Sequence, residues 1–354
     1  MKKIEHIELY VANLPLALDF YKRTFQCIPL AYLNQNDRSS ILIQNGLIRL
    51  ILTSSSNPAS HISQFIRLHG DGVKDIAFLT DSVLGQFELA ISNKARPILK
   101  PAVYETKTGK ILTAMVSAFG DITHTFIQRD TIDSIALPFF HLFTDVPDSN
   151  QSMMLGHIDH LAICVNQGDL AYWIEHYKIA YGFNLSHEEY VVTANSGMNS
   201  GVVQSPDGLI KLVFTEPVSG IKQSQIEEFL TCFRGEGVQH IAFSTQDILS
   251  TSRSLQNAGM HMLSIPDEYY AIQKNKFKQC HYDFNSLREH SILVDKNDTG
   301  FLYQAFSKPM STRPTLFFEI IQRAGCDGFG SNNIKYLFQA MEQEQLKRES
   351  NQSG

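Results

Sequence analysis

The sequence predicts an α+β protein made of two tandem halves of similar construction, and three internal matches carry that expectation. RGEGVQHIAFSTQDI (234–248) repeats HGDGVKDIAFLTDSV (69–83) almost letter for letter. GHIDHLAICVNQG (156–168) repeats KKIEHIELYVANL (2–14), and FEIIQRA (318–324) repeats HTFIQRD (124–130). The same order in both halves marks a duplication. Within each half, runs of branched residues alternate with helical periodicity, so each half reads as strand–helix–strands, twice over.

The elements follow in order. Leu9–Val11, Ile41–Ile43 and Ile48–Leu52 are rich in branched residues and read as strands. Leu14–Phe25, Ser82–Ala95 and Gly168–Tyr181 carry apolar residues three and four apart and read as helices. Pro138, Pro147 and the polar run DVPDSNQS make 133–154 a linker between a first domain, 1–132, and a second, 155–354. Near the C-terminus a helix is expected over 332–347. Ile334, Leu337, Phe338 and Met341 share one of its faces, and Gln339 and Gln343 lie away from it. Gly325, Gly328 and Gly330 lead into it, and the tail RESNQSG is expected to be disordered.

Composition excludes several classes of function. A chain of 354 residues can bury two cores, and 43% hydrophobic with 19% charged residues is ordinary globular usage. A net charge of −6 without a basic run argues against nucleic acid or an anionic membrane as partner. The N-terminus alternates like a strand and lacks the apolar core of a signal peptide, and no stretch is long and apolar enough to span a bilayer. The five cysteines are scattered and form no C-x-x-C, which points to free thiols and a cytoplasmic setting.

Comparing the halves isolates the chemistry. His160 matches His6, but His240 stands where the first half has Asp75, and Glu319 where it has Thr125. In strands, His160 shares a face with Ile158, Ala162 and Cys164, His240 with Val238 and Ala242, and Glu319 with Phe317 and Ile321. A buried ionised carboxylate needs a partner or a metal. Strands that curl around one cavity would bring His160, His240 and Glu319 together as the two-histidine, one-carboxylate set of non-haem Fe(II) oxygenases. Alternatives stay open at this point. A histidine in an apolar strand is commonly a satisfied core residue, and an ion pair explains a buried glutamate equally well. A second metal site at His6 and Asp75 is a further alternative to the expectation that the first half serves packing and interface. Its spare apolar faces are compatible with a homo-oligomer.

The stretches IDHLAICV, MNSGVVQS, SQIEEFL, GVQHIAF, PDEYY, ILVD, RPTLFFEIIQR and GFGSNNIKYLF, in this order, resemble the 4-hydroxyphenylpyruvate dioxygenases and the related 4-hydroxymandelate synthases of the vicinal oxygen chelate superfamily. HGDGV and FGDITHTFIQRD extend the likeness to the first half. The resemblance implies two tandem domains of paired βαβββ modules, each an open barrel-like mixed sheet with outer helices. The first would be structural and the second catalytic, with a C-terminal helix over the active site. It also implies Fe(II) held by His160, His240 and Glu319, O2 as co-substrate, and an aryl 2-oxo acid as substrate. No added 2-oxoglutarate is needed, because that substrate carries its own oxo-acid group.

Ser200, Thr215, Gln225, Gln239, Gln304 and Asn333 would surround the substrate ring and its hydroxyl, with Phe317 and Phe329 sandwiching the ring. Asn333, Ile334 and Leu337 would belong to the gating helix. Selectivity between products falls to Val213, Thr215 and Ile334. Homogentisate formers carry Phe at the position of Ile334 and mandelate formers carry Ile, so 4-hydroxymandelate is the favoured product and homogentisate the alternative. In KLVFTEP the sequence departs from both branches at Val213 and Thr215. A protein that sequesters an aromatic acid without turnover is the remaining alternative.

Overall fold

The computed structural model describes all residues except 107–108, 132–133, 145–153, 194, 312 and 353–354. Its elements fall into four βαβββ modules. The first comprises β1 (Lys3–Tyr10), α1 (Leu14–Phe25), β2 (Ile28–Gln35), β3 (Arg38–Asn45) and β4 (Ile48–Ser55). After α2 (His61–His69) come β5 (Gly72–Leu79), α3 (Val83–Ser92), β6 (Pro97–Thr106), β7 (Gly109–Ser117) and β8 (Thr123–Arg129), then the short β9 (His141–Leu142). The second half opens with β10 (Ile158–Cys164), α4 (Leu170–Tyr181), β11 (Asn184–Val192), β12 (Gly197–Gln204) and β13 (Lys211–Val218). Behind α5 (Gln225–Phe233) stand β14 (Gly237–Ser244) and α6 (Ile248–Asn257). The insertion α7 (Asp267–Lys276) and α8 (Phe284–Glu289) precedes β15 (Leu293–Lys296), β16 (Phe301–Phe306) and β17 (Phe317–Ala324), and α9 (Ser331–Gln352) closes the chain.

Local chemistry sets the helix ends. Asn13 accepts from the Leu16 amide at the start of α1, and Ser224 with Glu227 forms a full capping box on α5. The tail expected to be disordered is instead helical through Gln352. Its Gln, Glu, Lys and Arg residues favour a helix and no Gly or Pro interrupts them, while Arg348 pairs with Glu228 at 2.6 Å. Ser353 and Gly354 lie outside the described residues.

Each half is one curled mixed sheet. The strand orders are β6-β7-β8-β5-β1-β4-β3-β2-β9 and β11-β12-β13-β10-β14-β17-β16-β15. In both, the two modules meet through a central antiparallel pair, β1 with β5 and β10 with β14. Both pairs carry register shifts at matching places, after Ile4 and Ile158, and again where Lys74 and Gln239 are the extra residues. A bulge lets neighbouring residues abandon strict alternation.

One large core lies between the halves. Phe25 of α1 meets Phe243 and Phe318 at 5.4 and 4.9 Å, and His124 hydrogen-bonds the Tyr177 hydroxyl across the halves at 2.5 Å. The faces turned away from this core differ. In the first half Leu30, Leu42, Ile51, Ala77 and Ile127 are covered by Leu137, with Ile135, Ala136 and Phe140 packed beside it. The stretch expected as linker therefore contributes packing to the first sheet, and β9 pairs with β2. Residues 145–153 of that stretch lie outside the described residues. Among the described residues no helix is long and apolar enough to cross a membrane.

Candidate metal centre

The three neighbouring strands β10, β14 and β17 deliver His160, His240 and Glu319. Ala242 is the cross-strand partner of both His160 and Glu319, and His240 faces Ala162 on β10 and Phe317 on β17, so that alanines stand at two of the central positions. Small side chains at these positions leave room for the larger three to converge. Glu319 Oε2 lies 3.2 Å from His160 Nε2 and 3.4 Å from His240 Nε2. One potential ligand atom from each residue falls within 4.8 Å of the others, and among the described residues no other such cluster occurs.

Electrostatics favours a cation here. Burial would raise the Glu319 pKa, but His160 and His240 overcome it and hold the carboxyl at about 2. Burial likewise opposes charge on His160, yet Glu319 and then Asp159 raise its pKa to about 9. His240 is pushed down, chiefly by burial. Two carboxylates therefore converge on the His160 imidazole, a setting that suits a cation, and metal binding would require that imidazole in its neutral form.

Asp159 fixes the imidazole. Its Oδ1 accepts from His160 Nδ1 at 2.9 Å, which turns Nε2 towards Glu319. Arg323 holds Asp159 in turn, Nε to Oδ2 at 2.8 Å and Nη2 to Oδ1 at 2.9 Å. The bulge after Ile158 brings Asp159 to its neighbour, against the strict alternation expected from sequence. Neither residue was singled out in the sequence. The shared I-Q-R motif could have found them, because Arg129 pairs with Glu5 at 3.0 Å as Arg323 pairs with Asp159.

A cavity of about 80 Å³ opens beside the triad. Ser200, Val213, Thr215, Gln225, Gln239 and Gln304 line it, as do Phe317, Phe329, Ile334 and Leu337. The bulge at Gln239 explains how it and His240 both reach the cavity. Phe317 packs on the His240 ring with centroids 4.8 Å apart, and Phe329 lies 5.6 Å from the His160 ring. Phe306, Met198, Ile226 and Met341 complete the apolar wall; of these, only Met341 follows from the sequence pattern, as part of the apolar face of α9. Thr215 spends its hydroxyl on the Ile163 carbonyl at 3.2 Å. Asn333 does not line the cavity. It is buried behind Gln304, to which its amide donates at 2.9 Å.

Among the described residues the first half offers no counterpart. His6 is held down at about 3 by burial and then by Arg129, Arg49 and Arg38. Glu8 is bound by Arg38 at 2.6 Å and Asp75 by Thr123 at 2.6 Å. The carboxylates that a metal would need are already engaged.

Comparison with known proteins now bears on this geometry. Residues 157–278 match the Glyoxalase/Bleomycin resistance protein/Dioxygenase superfamily. The chain is 34% identical to 4-hydroxyphenylpyruvate dioxygenase of Aspergillus fumigatus, over 98% of this chain and 93% of that one. Against the Xenopus tropicalis enzyme of the same name it is 35% identical, covering 97% and 91%. The chain belongs to the 4-hydroxyphenylpyruvate dioxygenase family. It is a non-haem iron dioxygenase of that type. A solved structure of a triple mutant of 4-hydroxymandelate synthase from Streptomyces coelicolor superposes with a TM-score of 0.88. That pair is 31% identical, with 97% of this chain and 99% of the other covered. The family implies non-haem iron and O2, and the residues present fit: two imidazoles and a carboxylate converge, and a buried carboxylate stands behind one imidazole.

Proposed function

We propose that this protein is an Fe(II)-dependent oxygenase that oxidatively decarboxylates and hydroxylates 4-hydroxyphenylpyruvate, or a close aryl 2-oxo acid, with 4-hydroxymandelate as the favoured product. The observation that carries the reading is the buried His160–His240–Glu319 cluster opening onto an aromatic-walled cavity. Fe(II) bound there would supply the Lewis acidity for a chelating 2-oxo acid and the electrons for O2.

The chain's own residues do the rest. His160, His240 and Glu319 would hold the ion beside the cavity that receives the substrate. Phe317 and Phe329 confine the aromatic ring, while Ser200, Gln225 and Gln239 are the polar groups available to its hydroxyl. Helix α9 keeps water out through Ile334, Leu337 and Met341. Ile334 is smaller than the Phe of homogentisate formers. It leaves the ring room to tilt and bring the benzylic carbon, not the ring carbon, to the oxidant.

A second reading, homogentisate formation, is supported by the names of the Aspergillus and Xenopus relatives. Iron-loaded protein given 4-hydroxyphenylpyruvate in air, with no other co-substrate, tests both. Oxygen uptake with CO2 release is expected, and chromatography of the product separates the branches. Absence of both would sink the enzymatic reading, and tight binding of the acid by metal-free protein would favour sequestration. Ile334→Phe should move the product ratio towards homogentisate, and an unchanged ratio would place the selectivity elsewhere.

Two accompanying inferences have their own support. Five free cysteines suit a reducing, cytoplasmic setting. Exposed Ile98, Leu99 and Val103 along edge strand β6 favour a homo-oligomer through the first half, which sedimentation would test.

A further inference from the structure

Glu319 turns Oε2 to the two histidines, while its other oxygen, Oε1, accepts from Gln304 Nε2 at 3.0 Å. That contact begins a buried chain. Gln304 Oε1 accepts from Asn333 Nδ2, and Asn333 Oδ1 accepts from the Tyr269 hydroxyl, both at 2.9 Å. The Tyr269 oxygen accepts from the Val294 amide at 2.8 Å, and its one proton is shared between Asn333 Oδ1 and the Val294 carbonyl, each at 2.9 Å.

The direction of the chain is set at one end. An ionised carboxylate only accepts, so Gln304 must present its NH2 to Glu319. Its carbonyl oxygen then takes the Asn333 NH2, and Asn333 keeps an oxygen for the tyrosine proton. No amide can flip without breaking its neighbour's bond.

We propose that this relay couples the seating of α9 to the orientation of Glu319, with Tyr269 as the positioning residue at its outer end. The proposal rests on the reading of the triad as a metal site. Asn333 sits in the first turn of α9, so displacing the helix cuts the relay in its middle. The entry to the helix is shaped around it. Gly330 has φ +78°, and a Cβ there would lie 2.4 Å from Gln304 Oε1. Asp295 fastens the same turn, accepting from the Asn332 amide at 3.2 Å and from its side-chain Nδ2 at 2.7 Å. Metal binding and helix seating are therefore linked, and the linkage is reciprocal: metal tightens α9, and a seated α9 tightens metal.

The test uses the full chain and Co(II) as a spectroscopic probe. Tyr269→Phe keeps the ring and removes the hydroxyl. Losing a group that bonds a metal ligand directly typically weakens metal binding about 10-fold or more; Tyr269 stands two hydrogen bonds beyond such a group, so a smaller loss of about 2–5-fold is expected here, with a changed Co(II) absorption spectrum. Co(II) should also slow hydrogen exchange in the first turns of α9 in the parent protein but not in the variant. Gly330→Ala attacks the relay from the Gln304 side, and should do the same even if Tyr269→Phe fails to fold. Unchanged affinity and spectrum in either folded variant, with only a lower Tm, would overturn the relay. A parent protein that takes up no Co(II) would instead remove the metal reading on which it stands.

Discussion

Replacing Asp159 by Asn tests the support behind the metal centre. The substitution keeps shape and an acceptor for His160 Nδ1, but removes the charge that Arg323 grips through two bonds of 2.8 and 2.9 Å. Two consequences should separate. Losing a carboxylate behind a ligand histidine typically weakens metal binding about 10–100-fold, equivalent to about 1.4–2.7 kcal/mol. Breaking a buried ion pair costs about 3–5 kcal/mol of folding stability. The lower end is expected, because Arg323 is partly exposed and also donates to the Cys326 and Gly328 carbonyls. Urea unfolding of the metal-free protein reads the second effect, and Co(II) titration reads the first. Adding Arg323→Met removes the stranded cation and should recover most of the stability without recovering the affinity. Metal binding at parental strength in Asp159→Asn would refute the orienting role. Recovery of affinity in the double variant would show that Asp159 acts only through the fold.

Two further predictions concern the first half. Gly120 adopts φ +52°, and a Cβ there would lie 2.4 Å from the Glu236 carbonyl oxygen of the second half. Gly120→Ala should lower stability by about 1–3 kcal/mol in urea unfolding; an unchanged midpoint would show that the two halves separate easily at this contact. Asp75 is raised from 3.8 to about 7, mainly by burial and with help from Glu8. Its folded form keeps a proton that the unfolded chain loses, so its contribution to stability is full below about pH 4 and fades as pH rises to about 7. Asp75→Asn should flatten that part of the stability–pH curve relative to the parent, and parallel curves would contradict it.

The duplicated strands, the order of the modules and the three converging residues were legible because each rests on local patterning. IAF runs, alternation, and a change of residue type between matched positions survive in one dimension. What stayed hidden depends on register. Asp159 sits beside His160 in sequence, where alternation assigns it to the opposite face, and only the bulge brings it back; Gln239, placed likewise beside His240, is reached from sequence only through the family resemblance. Asn333 likewise reads as a group facing the site, but its place one layer behind Gln304 follows from how α9 enters beside Gly330. The salt-bridged extension of α9 escaped because a polar tail has the same composition whether it is solvated coil or helix.

Both halves kept the same scaffold, and this bears on what a metal centre needs. The bulges recur in both, and so does the acidic residue before the first histidine with its arginine partner, Glu5–Arg129 and Asp159–Arg323. That arrangement alone does not create a site. In the first half Glu5 is drawn to Arg49 at 2.6 Å as well, burial and then three arginines hold His6 neutral, and Leu137 covers the equivalent face. In the second half the corresponding carboxylate is left to orient its histidine, and an imidazole and a carboxylate replace Asp75 and Thr125. A helix then covers the cavity where the first half has packed chain. The difference between the halves thus lies in a few side chains on a common frame, and the ion pair behind His160 is the part of that frame the proposed metal centre would put to use.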